Sequence, residues 1–170
     1  MTGTTTLTLG GLLLALIILY ANLRPWWTGG REIKKLAAFL KGFGVAACAA
    51  ACPGGILGWA HAHTGSLANG AGEQVGEGAT GATHAASLTS GQLAGLGATG
   101  AFIVALAVFA VALTWKEAPK ADKRRITGGA FVGSVLCLTA GVAGLLSWLP
   151  GTLNAAGDGI VAAFQGAGVL

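Results

Sequence analysis

The side chains in this sequence that are best suited to chemistry are its cysteines and histidines. Cys48 and Cys52 stand four positions apart, which places both thiols on one face of a helix. Thiolate and imidazole groups bind soft metal ions, so His61, His63 and His84 suggest an external uptake site for such an ion. However, the histidines lie well past Cys52, and no acidic residue or methionine in an apolar stretch completes a ligand set. The sequence therefore favours cysteines that act as small apolar packing residues, and it predicts no metal site and no cofactor.

Residues that carry catalysis are missing from the apolar parts of the chain. Apart from Lys41, near the start of one apolar stretch, these parts hold no charged side chain. They contain neither a nucleophile–base pair nor a pair of carboxylates, and ion or proton carriers usually keep ionisable residues within their spans. The sequence predicts no catalytic residue, no enzyme and, for a single copy, no coupled transporter. The polar groups on offer are Tyr20, Thr99, Ser134, Thr139 and Ser147.

The composition predicts that lipid surrounds most of the chain. Its 170 residues are 54% hydrophobic and only 9% charged, whereas soluble domains carry about 25% charged residues. Residues 91–115 hold no charge, and five cations follow within ten residues. A helix of that length spans the ~30 Å of bilayer hydrocarbon at ~1.5 Å per residue. Membrane orientation accounts for the net charge of +4, so the sequence does not predict direct binding of nucleic acid.

These stretches predict an all-α integral membrane protein with four transmembrane helices, forming a single membrane domain over residues 1–170. A Pro-Gly-Gly sequence at residues 53–55 predicts a kink within the second span rather than its end, because apolar residues continue after it. The stretch between the second and third spans lacks large apolar residues and predicts a loop, and the tail predicts a short amphipathic helix in the interface. The spans cover approximately residues 5–23, 36–59, 92–115 and 128–149, with the loop at 60–90 and the tail at 150–170.

The positive charges set the predicted orientation in a plasma (inner) membrane. All ten Lys and Arg residues lie in or beside two short loops, residues 24–35 and 116–127, which the positive-inside rule assigns to the cytoplasm. Both termini are then outside, and the five tryptophans fall at span ends, as in an aromatic belt. The loops also predict contact with anionic lipid of the bilayer or docking of a cytoplasmic protein partner. Their basic residues are Arg24, Arg31, Lys34, Lys35, Lys116, Lys120, Lys123, Arg124 and Arg125.

Small residues at four-residue spacing predict close contact between helices. Side chains four positions apart share one helix face, and small ones let two backbones approach each other. These stripes serve either packing within a four-helix bundle or self-association into a homo-oligomeric ring or larger assembly. The residues predicted to pack are Gly44, Cys48, Cys52, Gly91, Gly95, Gly97, Ala101, Gly129 and Gly133.

The layout as a whole, four cation-bracketed spans rich in Ala and Gly, resembles small membrane proteins of actinobacterial conjugative plasmids, including the spread proteins. That resemblance implies a part in moving DNA between mycelial compartments beside a translocase. A comparable likeness exists to phage holins, although many holins end in a charged cytoplasmic tail. We expect a non-enzymatic protein that assembles, with itself or a partner, into a structural or pore-type membrane complex. The alternatives are a holin-like permeabiliser and a small metal or solute carrier that uses Cys48 and Cys52.

Overall fold

The fold is all-α, as the sequence predicts. The computed structural model describes residues 6–31, 33–81 and 86–167, and every named element within them is a helix. His84 and Thr5, the first residue of the predicted first span, lie outside these ranges. Lys34 and Lys35 lie within α2, but the structure does not describe their side chains. The helices are α1 (Leu9–Thr28), α2 (Ile33–Ala50), α3 (Gly55–Thr80), α4 (Ala98–Glu117), α5 (Lys120–Leu136), α6 (Ala140–Leu145) and α7 (Leu149–Gly166).

Two of these helices, α1 and α4, are long and apolar enough to cross a membrane. Each has 20 residues, with a mean hydropathy of 1.5 for α1 and 2.1 for α4. The stretches Leu36–Ala50 and Gly55–Thr80 pass the same test when they are counted together as one bent span. By length and composition, the described residues therefore hold two candidate spans, or three with the bent pair.

The kink predicted at Pro53 is instead the end of one helix and the start of another. α2 ends at Ala50, and its axis makes an angle of 108° with that of α3. The N–H of Cys52 donates to the carbonyl of Ala49 at 3.1 Å, which is a tight closing turn rather than a continued helix. Gly55 then adopts a left-handed φ of 69°, which glycine tolerates and which cannot continue the helix. Proline and glycine together therefore stop α2.

The loop prediction for residues 60–90 is wrong as far as Thr80, because α3 continues to that residue. Large apolar side chains are absent there, but Gly65, Ala68 and Gly72 are buried along one face of α3. Small residues on one face let this helix lie directly against the backbone of α1, so packing replaces the missing bulk.

α2 and α5 lie side by side and run in the same direction. A Cβ built on Gly129 would meet the carbonyl oxygen of Phe39, and one built on Gly133 would lie 2.8 Å from the carbonyl oxygen of Phe43. The residue numbers increase together along both helices, so the pair is parallel. The glycines allow the two backbones to touch.

α1 and α4 run in the opposite direction to α2 and α5. Asn22, in the second half of α1, lies against Gly128 in the middle of α5, while Leu7, just before α1, clusters with Val135 at the end of α5. The start of α4 is held at the end of α2, where the N–H of Leu96 donates to the carbonyl of Ala51 at 3.1 Å. The chain thus forms two antiparallel hairpins, α1–α2 and α4–α5, which point the same way.

The predicted fourth span, residues 128–149, is not one helix. α5 ends at Leu136, and Thr139 caps α6 by accepting a backbone N–H with its hydroxyl. The N–H of Gly91, in the segment before α4, donates to the carbonyl of Leu138 at 2.8 Å. Because this segment binds the carbonyls that the break leaves free, the chain can turn there without burying unpaired polar groups.

The tail forms a helix, as predicted, and α7 rests on the start of α4. Gly157 packs on the carbonyl of Thr99, and these two backbones are in direct contact. Farther along α7, the apolar residues Ile160, Val161 and Phe164 are exposed. Its placement in a membrane interface stays a prediction.

Candidate functional site

The described residues form a partly open cavity at the end of the bundle where both helix breaks meet. We call it the junction cavity, and its volume is about 570 Å³. Its walls come from the turn between α2 and α3, the extended residues 90–95, and the turn between α5 and α6. The side chains that bring chemical groups to it are those of Cys52, Trp59, His61, Ser90, Gln92 and Cys137.

The cysteines and histidines meet only in part. Cys52 and His61 both line the junction cavity, and Cys137, which the sequence did not single out, joins them from the second break. His63 stacks instead on Trp59, with ring centroids 4.1 Å apart. Among the described residues, no three His, Cys, Asp or Glu side chains are close enough to hold a metal ion together.

Two of the predicted packing glycines lie in the contact between α2 and α5. Gly129 and Gly133 are both buried there, against the backbone of α2. The matching close approach from α2 comes from Gly42, whose Cβ position falls on the carbonyl of Ile126. Gly44, the predicted member on α2, is exposed and has no neighbouring atom within 4 Å of its Cβ position.

The remaining predicted packing residues have mixed surroundings. Cys48 and Cys52 are half-buried and pack beside Ala51, Leu96 and Val104. The other four divide between contact and exposure. Gly91 meets Thr139 and Ala143 closely, Gly97 lies beside Asn154, Gly95 touches only Pro53, and Ala101 is exposed.

The described basic side chains gather at the end of the bundle opposite the junction cavity. The guanidinium of Arg31 lies 5.2 Å from the ring centroid of Trp27, and the ammonium of Lys123 lies 5.1 Å from that of Trp115. Arg125 pairs with Asp122 at 3.5 Å. The exposed basic residues at this end are Arg24, Arg31, Lys116, Lys120 and Arg124, and Lys41 is exposed in the middle of α2.

The two halves of the chain repeat one sequence pattern. Residues 69–75 read NGAGEQV and residues 154–160 read NAAGDGI, with Asn, Ala and Gly in the same places, followed by an acid and then a β-branched residue. The same interval separates Cys48 from Trp59 and Cys137 from Trp148. A comparison of the two halves along the sequence would have revealed both signals.

The repeated residues make the same contacts in both halves. The Oδ1 of Asn69, in α3, accepts the backbone N–H at the start of α1 at 2.9 Å, from Thr8. The Oδ1 of Asn154, in α7, accepts the N–H at the start of α4 at 3.0 Å, from Gly97. Gly72, three positions after Asn69, packs on the backbone of Gly10, two positions after Thr8. In the same way Gly157, three positions after Asn154, packs on Thr99, two positions after Gly97. The chain is therefore built of two similar units, α1–α2–α3 and α4–α5–α7, in the same orientation.

Comparison with protein-family models, with curated proteins and with solved structures finds no match for this chain.

Proposed function

We propose that this chain is a four-span protein of the plasma (inner) membrane, with both termini outside and the α1–α2 and α4–α5 turns in the cytoplasm. The parallel course of α2 and α5 supports this threading, because both helices then leave the membrane on the same side. Apart from Lys41, in the middle of α2, the described Lys and Arg side chains lie at or near the ends that this threading puts inside. The described acids at the other end, Glu73, Glu77 and Asp158, have no basic neighbour in sequence there.

Within this frame, the function that the geometry supports best is assembly into a structural or pore-type membrane complex, without enzymatic activity. The observation that carries the proposal is how little of α4 is covered by the rest of the chain. Only Gly100 and Val104 are buried in this helix. In lipid, exposed large side chains do not drive association, whereas small residues that let helices approach do. Along one side of α4, four exposed residues are small, Ala98, Ala101, Ala105 and Ala112, and Phe109 is the large exposed side chain beside them.

Crosslinking of cysteine variants in native membranes tests this proposal. In a background in which the three native cysteines are replaced by alanine, Ala105→Cys should give disulfide-linked dimers or larger products on mild oxidation. Ala110→Cys is the matched control, because Ala110 is also exposed but lies about 140° around α4 at 100° per residue. Only monomer from Ala105→Cys, or equal crosslinking of the two variants, contradicts assembly through this face.

The narrower roles stay predictions with their own tests. A part in DNA transfer rests on the resemblance of layout, and deletion of the gene in a conjugating strain should then reduce transfer. A holin-like permeabiliser should collapse the membrane potential when it is expressed. A carrier that uses Cys48 and Cys52 should lose uptake in the Cys48→Ala/Cys52→Ala double variant but keep it in a Cys137→Ala control.

A further inference from the structure

The junction cavity lies where the interrupted helices of the two similar units meet. In secondary transporters built of repeats, solutes bind between the repeats, next to interrupted helices and near the middle of the membrane. The junction cavity shares the interrupted helices, but it lies at the end of the bundle. Here each unit interrupts its second long helix, α2 at residues 51–54 and α5 at residues 137–139. Both interruptions open into the same cavity of about 570 Å³, a volume typical of sites for small organic ligands.

The described walls of the cavity carry hydrogen-bonding groups but no charge. None of the described lining residues is Asp, Glu, Lys or Arg. An ion bound in this cavity would therefore lose its hydration without gaining a side chain of opposite charge. The walls thus favour an uncharged ligand.

Several polar groups in the wall are free to bind such a ligand. His61 also lines the wall, although its Nδ1 atom is buried there and does not face the space that a ligand would occupy. The α3 helix begins at Gly55, and its N-cap residue Gly54 has no side chain to cap it, so the first N–H groups of α3 lack a side-chain acceptor. The side chains of Ser90 and Gln92 add a hydroxyl and an amide. Together they offer both donors and acceptors, which suits a ligand that carries several hydroxyl groups.

The wall also holds an aromatic ring. Trp59 lines the cavity, and its stacking against His63 holds the indole in place. An indole presents a flat apolar face together with a polar N–H, which matches a molecule with apolar C–H faces and polar edges. We propose that the junction cavity binds a small uncharged polyol or sugar, between the two repeated units.

Binding is measured on the full-length chain, purified in mild detergent, with glycerol, xylitol, glucose and sucrose as probes at up to 100 mM. Cys52 lines the cavity and is half-buried, so its rate of reaction with a small methanethiosulfonate reports occupancy by peptide mass spectrometry. Bound ligand slows this reaction by the factor 1 + [L]/Kd, which is roughly 11-fold at ten times Kd. We expect at least one probe to slow it fivefold or more and to raise the unfolding temperature.

Two variants separate binding in the cavity from general stabilisation by a cosolute. The first, Gly95→Phe, places a ring at the cavity wall. There is room for its Cβ, because the nearest atom is the Cβ of Pro53 at 3.9 Å. Its control is Gly44→Phe, at an exposed glycine with open space and away from the cavity. The rise in unfolding temperature should be retained in Gly44→Phe and lost in Gly95→Phe.

The second variant, Gln92→Ala, removes one hydrogen-bonding side chain without adding bulk. It should weaken binding about tenfold, and it keeps the test decisive if Gly95→Phe does not fold. The proposal is overturned if none of the four probes protects Cys52. It is also overturned if protection is unchanged in Gln92→Ala, or if the thermal shift is the same in Gly95→Phe as in Gly44→Phe.

Discussion

Adding a single methyl group at Gly129 should weaken the contact between α2 and α5. The new Cβ would fall on the carbonyl oxygen of Phe39, which belongs to the facing backbone and not to a flexible side chain. The only way to make room is to move the two helices apart along the contact. Gly44→Ala is the matched control, because Gly44 lies in the middle of α2 with nothing within 4 Å of its Cβ position.

The two substitutions should have opposite signs. Glycine to alanine inside a helix stabilises by up to about 1 kcal/mol through helix propensity alone, and Gly44→Ala should gain that amount. Overpacking costs about 1–3 kcal/mol. At Gly129 the obstacle is main chain of the facing helix, which cannot rotate away, so we take the upper value of about 3 kcal/mol for overpacking. The gain in helix propensity of about 1 kcal/mol reduces this to a net loss of roughly 2 kcal/mol. The variants should thus differ by about 3 kcal/mol, or roughly 6–12 °C in unfolding temperature.

Thermal unfolding in one detergent, followed by circular dichroism at constant protein concentration, measures this difference. Gly44→Ala should unfold above the wild-type chain, and Gly129→Ala should unfold below it. If both variants shift in the same direction and by the same amount, the backbone contact between α2 and α5 is not as close as described, and the reasoning fails.

Four further substitutions test other contacts by the same assay. Asn69→Ala should lower stability by about 1–2 kcal/mol, because the Asn69 side chain makes three hydrogen bonds. Asn154→Ala should lower stability by about 1 kcal/mol, because its side chain makes one. If neither variant loses stability, these two Asn side chains do not cap α1 and α4. Thr139→Val should cost about 1 kcal/mol by removing the cap of α6, and an unchanged unfolding temperature would argue against the break after α5. Lys123→Gln should cost about 0.5 kcal/mol by removing the ammonium from the ring of Trp115, with a change in tryptophan emission, and a larger loss would point to a buried role.

The prediction of apolar helices needed only local information. Apolar runs with cations after them predict that α1 and α4 exist, because lipid excludes charge and sets the length of a span. Their bounds differ from the prediction, since α1 continues through Arg24 and Pro25 to Thr28, and α4 begins only at Ala98. The all-α fold follows from the same rule, since a single span in hydrocarbon must satisfy its own backbone. These features depend on the chain and its solvent, and hardly on partners elsewhere in the fold.

The interruptions and the helix at residues 55–80 could not be read from composition. A proline with two glycines is compatible with a kink or a helix end, and Gly91 must bind Leu138 before the second break becomes favourable. Similarly, Gly72 reads as a loop residue until the backbone of Gly10 packs against it. In each case, the deciding partner lies more than forty residues away in the sequence.

The sequence by itself determined which segments are apolar and where the cations gather. The tertiary structure alone decided that Gly129 rather than Gly44 makes a helix contact, and that Cys52, His61 and Cys137 line one cavity. Hydropathy is a property of each residue and its surrounding solvent. Which small residue touches a backbone, and which breaks meet, depends on the direction and register of helices that only pack once the whole chain has folded.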